Sequence, residues 1–144
     1  LYITFYILLS LSMEKTLVII KPDAIQRGLE WQIIQRFEDA GFSIAAQKRE
    51  MLTTEILTEH YAHIADKPFF PFVLQDMQAS EVIILALEWD NVVETVRTMI
   101  GVTDPALAAE GTIRKDFGID KGKNSIHASE DSDAAKLELE RFFK

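Results

Sequence analysis

Thr16–Ile20 reads TLVII, a short apolar run rich in β-branched side chains and stopped at once by Lys21-Pro22-Asp23. The run is too short for a buried helix and shows no polar alternation, so it predicts a buried strand entering a turn. Glu81–Leu87 (EVIILAL) repeats the pattern and is the clearest strand of the chain. Strands of this kind need other elements packed over them, and the residues between supply helices. Ile33, Ile34 and Phe37 recur at helical spacing and Gly41 follows as a stop, which predicts a helix from about Glu30 to Ala40. Phe42–Met51 alternates weakly and reads as a strand. Thr54–His63 reads as a helix, and Pro68–Met77 as a second, with Asp66 as its cap. Asp90 is placed to cap a helix over Asn91–Ile100, which Gly101 closes. Residues 101–123 read as loop, Asn124–His127 as a short strand and Ser132–Phe143 as the last helix.

The order β-α-β-α-α-β-α-β-α predicts the α/β class, an α+β sandwich with helices packed on one face of a small sheet. The strands around residues 42–87 pair antiparallel or parallel with equal ease. The 144 residues make one domain of ordinary size, and 48% hydrophobic with 26% charged residues is the balance of a folded, soluble chain. No cysteine is present, which excludes a disulfide framework, a thiol nucleophile and a Cys-based zinc site. Fifteen Lys and Arg against 23 Asp and Glu leave a net charge of −8, so nucleic acid and anionic membranes are not expected partners. Any polyanion must meet a local basic site.

Residues 1–12, LYITFYILLSLS, carry no charge and are too short to span a bilayer as a helix, which needs about 20 residues. They are expected to be an apolar extension outside the single domain, which is assigned to residues 13–144. A read-through remnant ahead of Met13 is the plainest reading. A secretory signal core cut short before Ser10-Leu11-Ser12, or a true structural or anchoring extension, are the alternatives.

Some charged residues sit where local geometry asks for apolar ones. Val93, Val96 and Ile100 form a helical stripe that Arg97 interrupts. Ala135, Leu139 and Phe142 form another that Glu138 interrupts, and Lys21 ends an apolar strand. Such charges cost several kcal/mol unless paired or bound to something. They either snorkel and pair at stripe edges, or they belong to a phosphate site. The chain has no G-x-x-x-x-G-K-[ST] and no G-x-G-x-x-G, so phosphate would be held by discrete Arg and Lys side chains. Of the three histidines, His60 and His63 lie at i, i+3 and read as a partly exposed helix face rather than a metal pair. His127 lies in Asn124-Ser125-Ile126-His127-Ala128-Ser129. On spacing alone a core or capping role suits it as well as a nucleophile that is neutral near pH 7.

Lys21-Pro22-Asp23, Arg27-Gly28, His60-Tyr61, Lys67-Pro68-Phe69-Phe70, Arg97, Gly101-x-Thr103-Asp104-Pro105, Gly111-Thr112-Ile113-Arg114-x-Asp116-Phe117 and Asn124-x-Ile126-His127-Ala128-Ser129 occur in that order. Together they resemble the nucleoside diphosphate kinases over about residues 14–143. The resemblance implies a ferredoxin-like βαββαβ fold, a small antiparallel sheet covered by helices. It also implies transfer of the terminal phosphate of a nucleoside triphosphate to a nucleoside diphosphate, ping-pong, through a phosphohistidine.

Residue by residue, the resemblance puts the phosphohistidine at His127, oriented by Glu138 with Ser129 beside it. It puts phosphate contacts at Arg97, Arg114 and Thr103. Lys21 falls at the position that contacts the ribose and the transferring phosphoryl, and Asn124 at that of the ribose 3′-hydroxyl contact. Tyr61 falls in the site wall, and Phe69 on the base, with Val73 as its apolar neighbour. Stacking implies low base selectivity. Mg²⁺ is expected to arrive with the nucleotide, with Glu130 helping through water and no protein ligand bound directly. The family also implies a homo-oligomer, tetramer or hexamer, built from dimers, and a cytoplasmic location. Two departures stand out. Ala128 follows the histidine where the family usually has Gly, and Leu29-Glu30-Trp31 replaces a glycine-containing turn. A nucleotide-binding regulatory domain without turnover and a metal module on His60 and His63 are the competing functions.

Overall fold

The computed structural model describes residues 13–144, and the reading of residues 1–12 lies outside the described residues. The elements are β1 (Met13–Ile20), α1 (Pro22–Gln26), α2 (Glu30–Asp39), β2 (Ser43–Glu50), α3 (Thr54–His60), α4 (Phe70–Met77), β3 (Val82–Asp90), α5 (Val92–Ile100), α6 (Ile113–Phe117), β4 (Ile126–Ala128) and α7 (Ser132–Phe142). The strands form one sheet in the order β2-β3-β1-β4, and every neighbouring pair is antiparallel. The helical crossovers β1-α2-β2 and β3-α5-β4 complete the ferredoxin-like βαββαβ pattern.

The apolar runs that looked featureless in sequence hide an alternation between two cores. Val18 and Ile20 of β1, with Ile83, Leu85 and Leu87 of β3, face one way. They meet Ile33, Ile34 and Phe37 of α2 and Val92, Val93, Val96 and Ile100 of α5. Leu17 and Ile19, with Val82 and Ile84, face the other way, against Leu57 of α3, Met77 of α4 and Phe142 of α7. Period-2 projection sends successive side chains to opposite faces, and helices cover both faces. The expectation of helices on one face is therefore corrected.

Several element bounds also differ. β1 begins at Met13, and its extra residues Met13–Lys15 pair with Glu88–Asp90, which carries β3 past Leu87 and absorbs Asp90 into the strand. Asn91, with φ of 53°, is the residue before α5, and its side chain makes no cap. α3 ends at His60, and the residue ahead of α4 is Phe69 rather than Asp66. Short α1 and α6 lie inside segments read as turn and loop; α6 is capped by the Thr112 side chain, which accepts from the Lys115 N–H. Asp131 caps α7 by accepting from the Ala134 N–H.

Candidate active site

β4 sits at the edge of the sheet against β1, with Ile126 opposite Ile20, His127 opposite Ile19 and Ala128 opposite Val18. Ile126 and Ala128 are buried in the first core, so alternation turns His127 to the face of Leu17 and Ile19, where α3 and α7 close in. Ser125 precedes the strand with φ of 76°, and its N–H donates to the Asp23 carboxylate at 3.4 Å. Ala128 lies at negative φ within the ladder, so the methyl that replaces the family's usual Gly meets no backbone conflict.

His127 Nε2 lies 2.7 Å from Glu138 Oε1, and Ser129 Oγ donates to the same oxygen at 2.9 Å. Ser129 is fully buried, and its Oγ accepts the Leu17 N–H at 3.3 Å, which fixes the hydroxyl's direction. An ionised carboxylate only accepts, so Nε2 carries the proton and Nδ1 keeps the lone pair. Burial alone would raise the Glu138 pKa. The hydrogen bonds and charge of His127, with His60 and Ser129, outweigh it and hold the carboxyl below its ordinary value.

Cations gather around this pair. Arg114 donates to Gly101 O at 3.0 Å and to Ile126 O at 2.9 Å, while its Nε is buried with no hydrogen-bond partner among the described residues. Burial, then Arg97, lowers its pKa to about 10, so it stays charged at neutral pH. Arg97 donates to Ala128 O at 3.4 Å. Lys21 Nζ donates to Gly122 O at 2.7 Å and to Asn124 Oδ1 at 3.0 Å. Burial is the main cause that lowers its pKa to about 8, against the pull of Asp23, Asp76 and Asp120. Asn124 Nδ2 donates to Thr103 O at 3.0 Å, which ties the 101–123 segment to the site. Burial, with Glu138, raises the Tyr61 phenol to about 12, so it remains a neutral donor.

One cleft of about 650 Å³ is lined by Lys21, Tyr61, Phe69, Val73, Arg97, Thr103, Arg114, Asn124, His127, Glu130 and Glu138. Every residue singled out in the sequence reaches this wall except Ser129, which stands behind it on Glu138. Phe69 is half exposed at the rim, presenting a flat apolar surface. The sequence reading missed His60, Asp76 and Arg141 as site residues; they line the same cleft. His60 is not on an exposed face: it is 8% exposed, and its ring centre lies 4.6 Å from that of His127. Its burial comes from β4 and α7, which no local pattern could reveal.

A family model for nucleoside diphosphate kinase matches residues 14–144. The chain belongs to the nucleoside diphosphate kinase family. The "Nucleoside diphosphate kinase" of Pasteurella multocida is 47% identical over 133 residues, 92% of this chain and 96% of that protein. The one from Parabacteroides distasonis is 46% identical over 132 residues, 92% of this chain and 86% of that protein. A solved halophilic nucleoside diphosphate kinase from Halobacterium salinarum, in complex with CDP, superposes with a TM-score of 0.88. It is 39% identical, and the match covers 91% of this chain and 88% of that one.

Proposed function

We infer that the chain transfers the terminal phosphate of a nucleoside triphosphate to a nucleoside diphosphate, ping-pong, through a phosphohistidine on His127. One observation carries the reading: Glu138 holds Nε2 as N–H, so the lone pair of Nδ1 is left to the cation-lined cleft. Nδ1 attacks the terminal phosphorus, the bond to the bridging oxygen breaks, and the diphosphate leaves with that electron pair. The imidazole becomes a phosphorylated cation, and Glu138 neutralises it through Nε2–H. A second diphosphate then attacks the phosphorus through a terminal oxygen, and the P–N bond breaks back to neutral His127.

Arg97, Arg114 and Lys21 meet charge that develops on the phosphoryl oxygens, with Thr103 as a hydroxyl partner. Because both arginines also donate to β4 carbonyls, the cations and the nucleophile share one strand. Asn124 and Lys21, already bonded to each other, are positioned for ribose hydroxyls. Phe69, beside Val73, offers stacking without reading a base edge, which supports low base selectivity. Tyr61 packs in the cleft wall.

The cleft suits Mg²⁺ carried on phosphate better than a caged ion: Glu130 and Asp76 offer isolated carboxylates, and Mg²⁺ takes oxygen ligands and keeps its waters. Bound with nucleotide, Mg²⁺ supplies neutralisation of phosphate charge, and Glu130 would reach it through water. No helix among the described residues is long and apolar enough to cross a membrane. A cytoplasmic homo-oligomer built from dimers, as a tetramer or hexamer, completes the reading on family likeness.

The test is a label chase. The protein is incubated with γ-labelled ATP and Mg²⁺, freed of nucleotide and given GDP. Acid-labile, alkali-stable label on His127 that passes to GTP is expected. His127→Gln should abolish both labelling and transfer. Label that never forms, or forms elsewhere, overturns the mechanism; nucleotide binding without labelling indicates a regulatory domain.

A further inference from the structure

His60 is a buried titratable residue that the mechanism above leaves idle. Its ring stands edge-on to His127, with centres 4.6 Å apart and planes at 81°. Phe142 backs it at 5.2 Å and Tyr61 flanks it at 4.7 Å, both also edge-on. On α7, Arg141 Nη1 lies 3.0 Å from His60 Nδ1, and Arg141 Nε donates to Glu59 Oε1 at 3.2 Å. A guanidinium has no acceptor, so His60 Nδ1 must accept, and the neutral ring carries its proton on Nε2. The ionisable groups around it are His127 on β4, Glu138 and Arg141 on α7, and Glu59, Tyr61 and His63 on its own segment. Burial and the neighbouring His127 hold its pKa down to about 3, so it adds no charge beside the nucleophile at working pH.

His60, His127 and Glu138 place ligand atoms within 4.8 Å of one another, which raises a metal reading. The hydrogen bonds oppose it. Arg141 occupies the His60 Nδ1 lone pair, and the proton on His127 Nε2 belongs to the Glu138 bond. A metal would have to break both, whereas ligating histidines usually donate their second N–H to an acceptor.

What remains is mechanical. Glu138 tethers one nitrogen of His127, but a single hydrogen bond leaves the ring free to swing about it. We propose that His60 is a positioning residue that braces the His127 ring, so that Nδ1 stays on the line of attack while Arg141 and Glu59 lock the brace from behind. The proposal rests on the phosphohistidine reading above. Displacing a reacting atom by about 1 Å can cost about 100-fold in rate, so a loose ring should act on the chemical step and not on nucleotide affinity.

The experiment uses His60→Ala, His60→Phe and Arg141→Gln in the full chain, read by single-turnover labelling, nucleotide affinity and ring ¹⁵N NMR of His127 without nucleotide. His60→Ala should slow labelling about 10-fold or more, leave affinity within about twofold, and shift and broaden the His127 ring signals by exchange between orientations, with Nε2 still protonated against Glu138. His60→Phe restores the wall and should stay within about threefold of wild type, and Arg141→Gln should fall between them with affinity intact. A His60→Ala protein with wild-type labelling and unaltered His127 ring signals overturns the proposal. If His60→Ala does not fold, a folded His60→Phe that is as slow as a nucleophile variant, or an Arg141→Gln with unaltered rate and spectrum, overturns it equally. A wild-type protein that never labels would sink the phosphohistidine instead, and the nucleotide-free spectra would still decide the brace.

Discussion

Glu138→Gln changes almost nothing in shape and one thing in charge. In the native site one carboxylate oxygen receives His127 Nε2–H at 2.7 Å and Ser129 Oγ–H at 2.9 Å. A glutamine carbonyl can accept both, so the geometry survives. A hydrogen bond to a charged partner is worth about 1.5–3 kcal/mol and one between neutral groups about 0.5–1.5. The difference, about 1–2 kcal/mol, is realised mostly as His127 becomes cationic, so it falls on the transition state. At about 1.4 kcal/mol per decade the phosphorylation step should slow about 5- to 30-fold. Rapid-quench labelling with saturating ATP measures that step directly, and nucleotide affinity should hold within about twofold. Folded Glu138 titrates below its ordinary value, so its charge adds stability that is lost as pH falls through the folded pKa. The variant should therefore show a flatter stability profile across the acid range. A labelling rate within twofold of wild type would refute the reasoning and leave Glu138 a structural partner of Ser129.

Lys21→Met should raise stability while destroying turnover: lowering the pKa from 10.5 to about 8 corresponds to about 3 kcal/mol held against the charged form. Between those values the unfolded chain binds a proton that the folded chain releases, so wild-type stability from this group rises with pH there; urea titrations of both proteins at pH 7 and 10 read it. Gly101→Ala should destabilise by about 2 kcal/mol and slow catalysis. The added Cβ would lie 2.8 Å from Thr112 Oγ1 at φ of 88°, and the Gly101 carbonyl anchors Arg114. A melting temperature unchanged from wild type would contradict that. Ala128→Gly should cost about 1 kcal/mol of stability and leave kcat unchanged, since no positive φ is needed at this position.

The central strands, α2, α5 and α7 were legible because each announces itself locally, through an apolar run, a spaced stripe or a glycine stop. The two-sided burial of β1 was not, since Leu17, Val18, Ile19 and Ile20 look alike although their side chains enter different cores. α1 and α6 are single turns, too short to form without the tertiary bonds that hold them. Arg27 and Arg36 supply several: Arg27 donates to Phe117 O, and Arg36 pairs with Asp116 at 2.5 Å. Within the site, Lys21, Arg97 and Glu138 betrayed themselves as charges out of place. His60 gave no such sign: on its own helix it is one more polar residue at the end of α3, and only β4 and α7 enclose it.

The arginines that donate to β4 carry a further consequence for solubility. Among the described residues β4 is an outer strand, and its bonds to β1 leave the Ile126 and Ala128 carbonyls pointing away, towards the side where another strand could add. Arg114 takes the first of these acceptors and Arg97 the second. Exposed strand edges template pairing with other chains, and charge at the edge is a common defence. The same guanidinium groups thus finish the sheet where a fifth strand would have bonded, which discourages edge-to-edge association beside the nucleophile. Losing either one should therefore be felt as a tendency to self-associate, apart from any loss of phosphate contact.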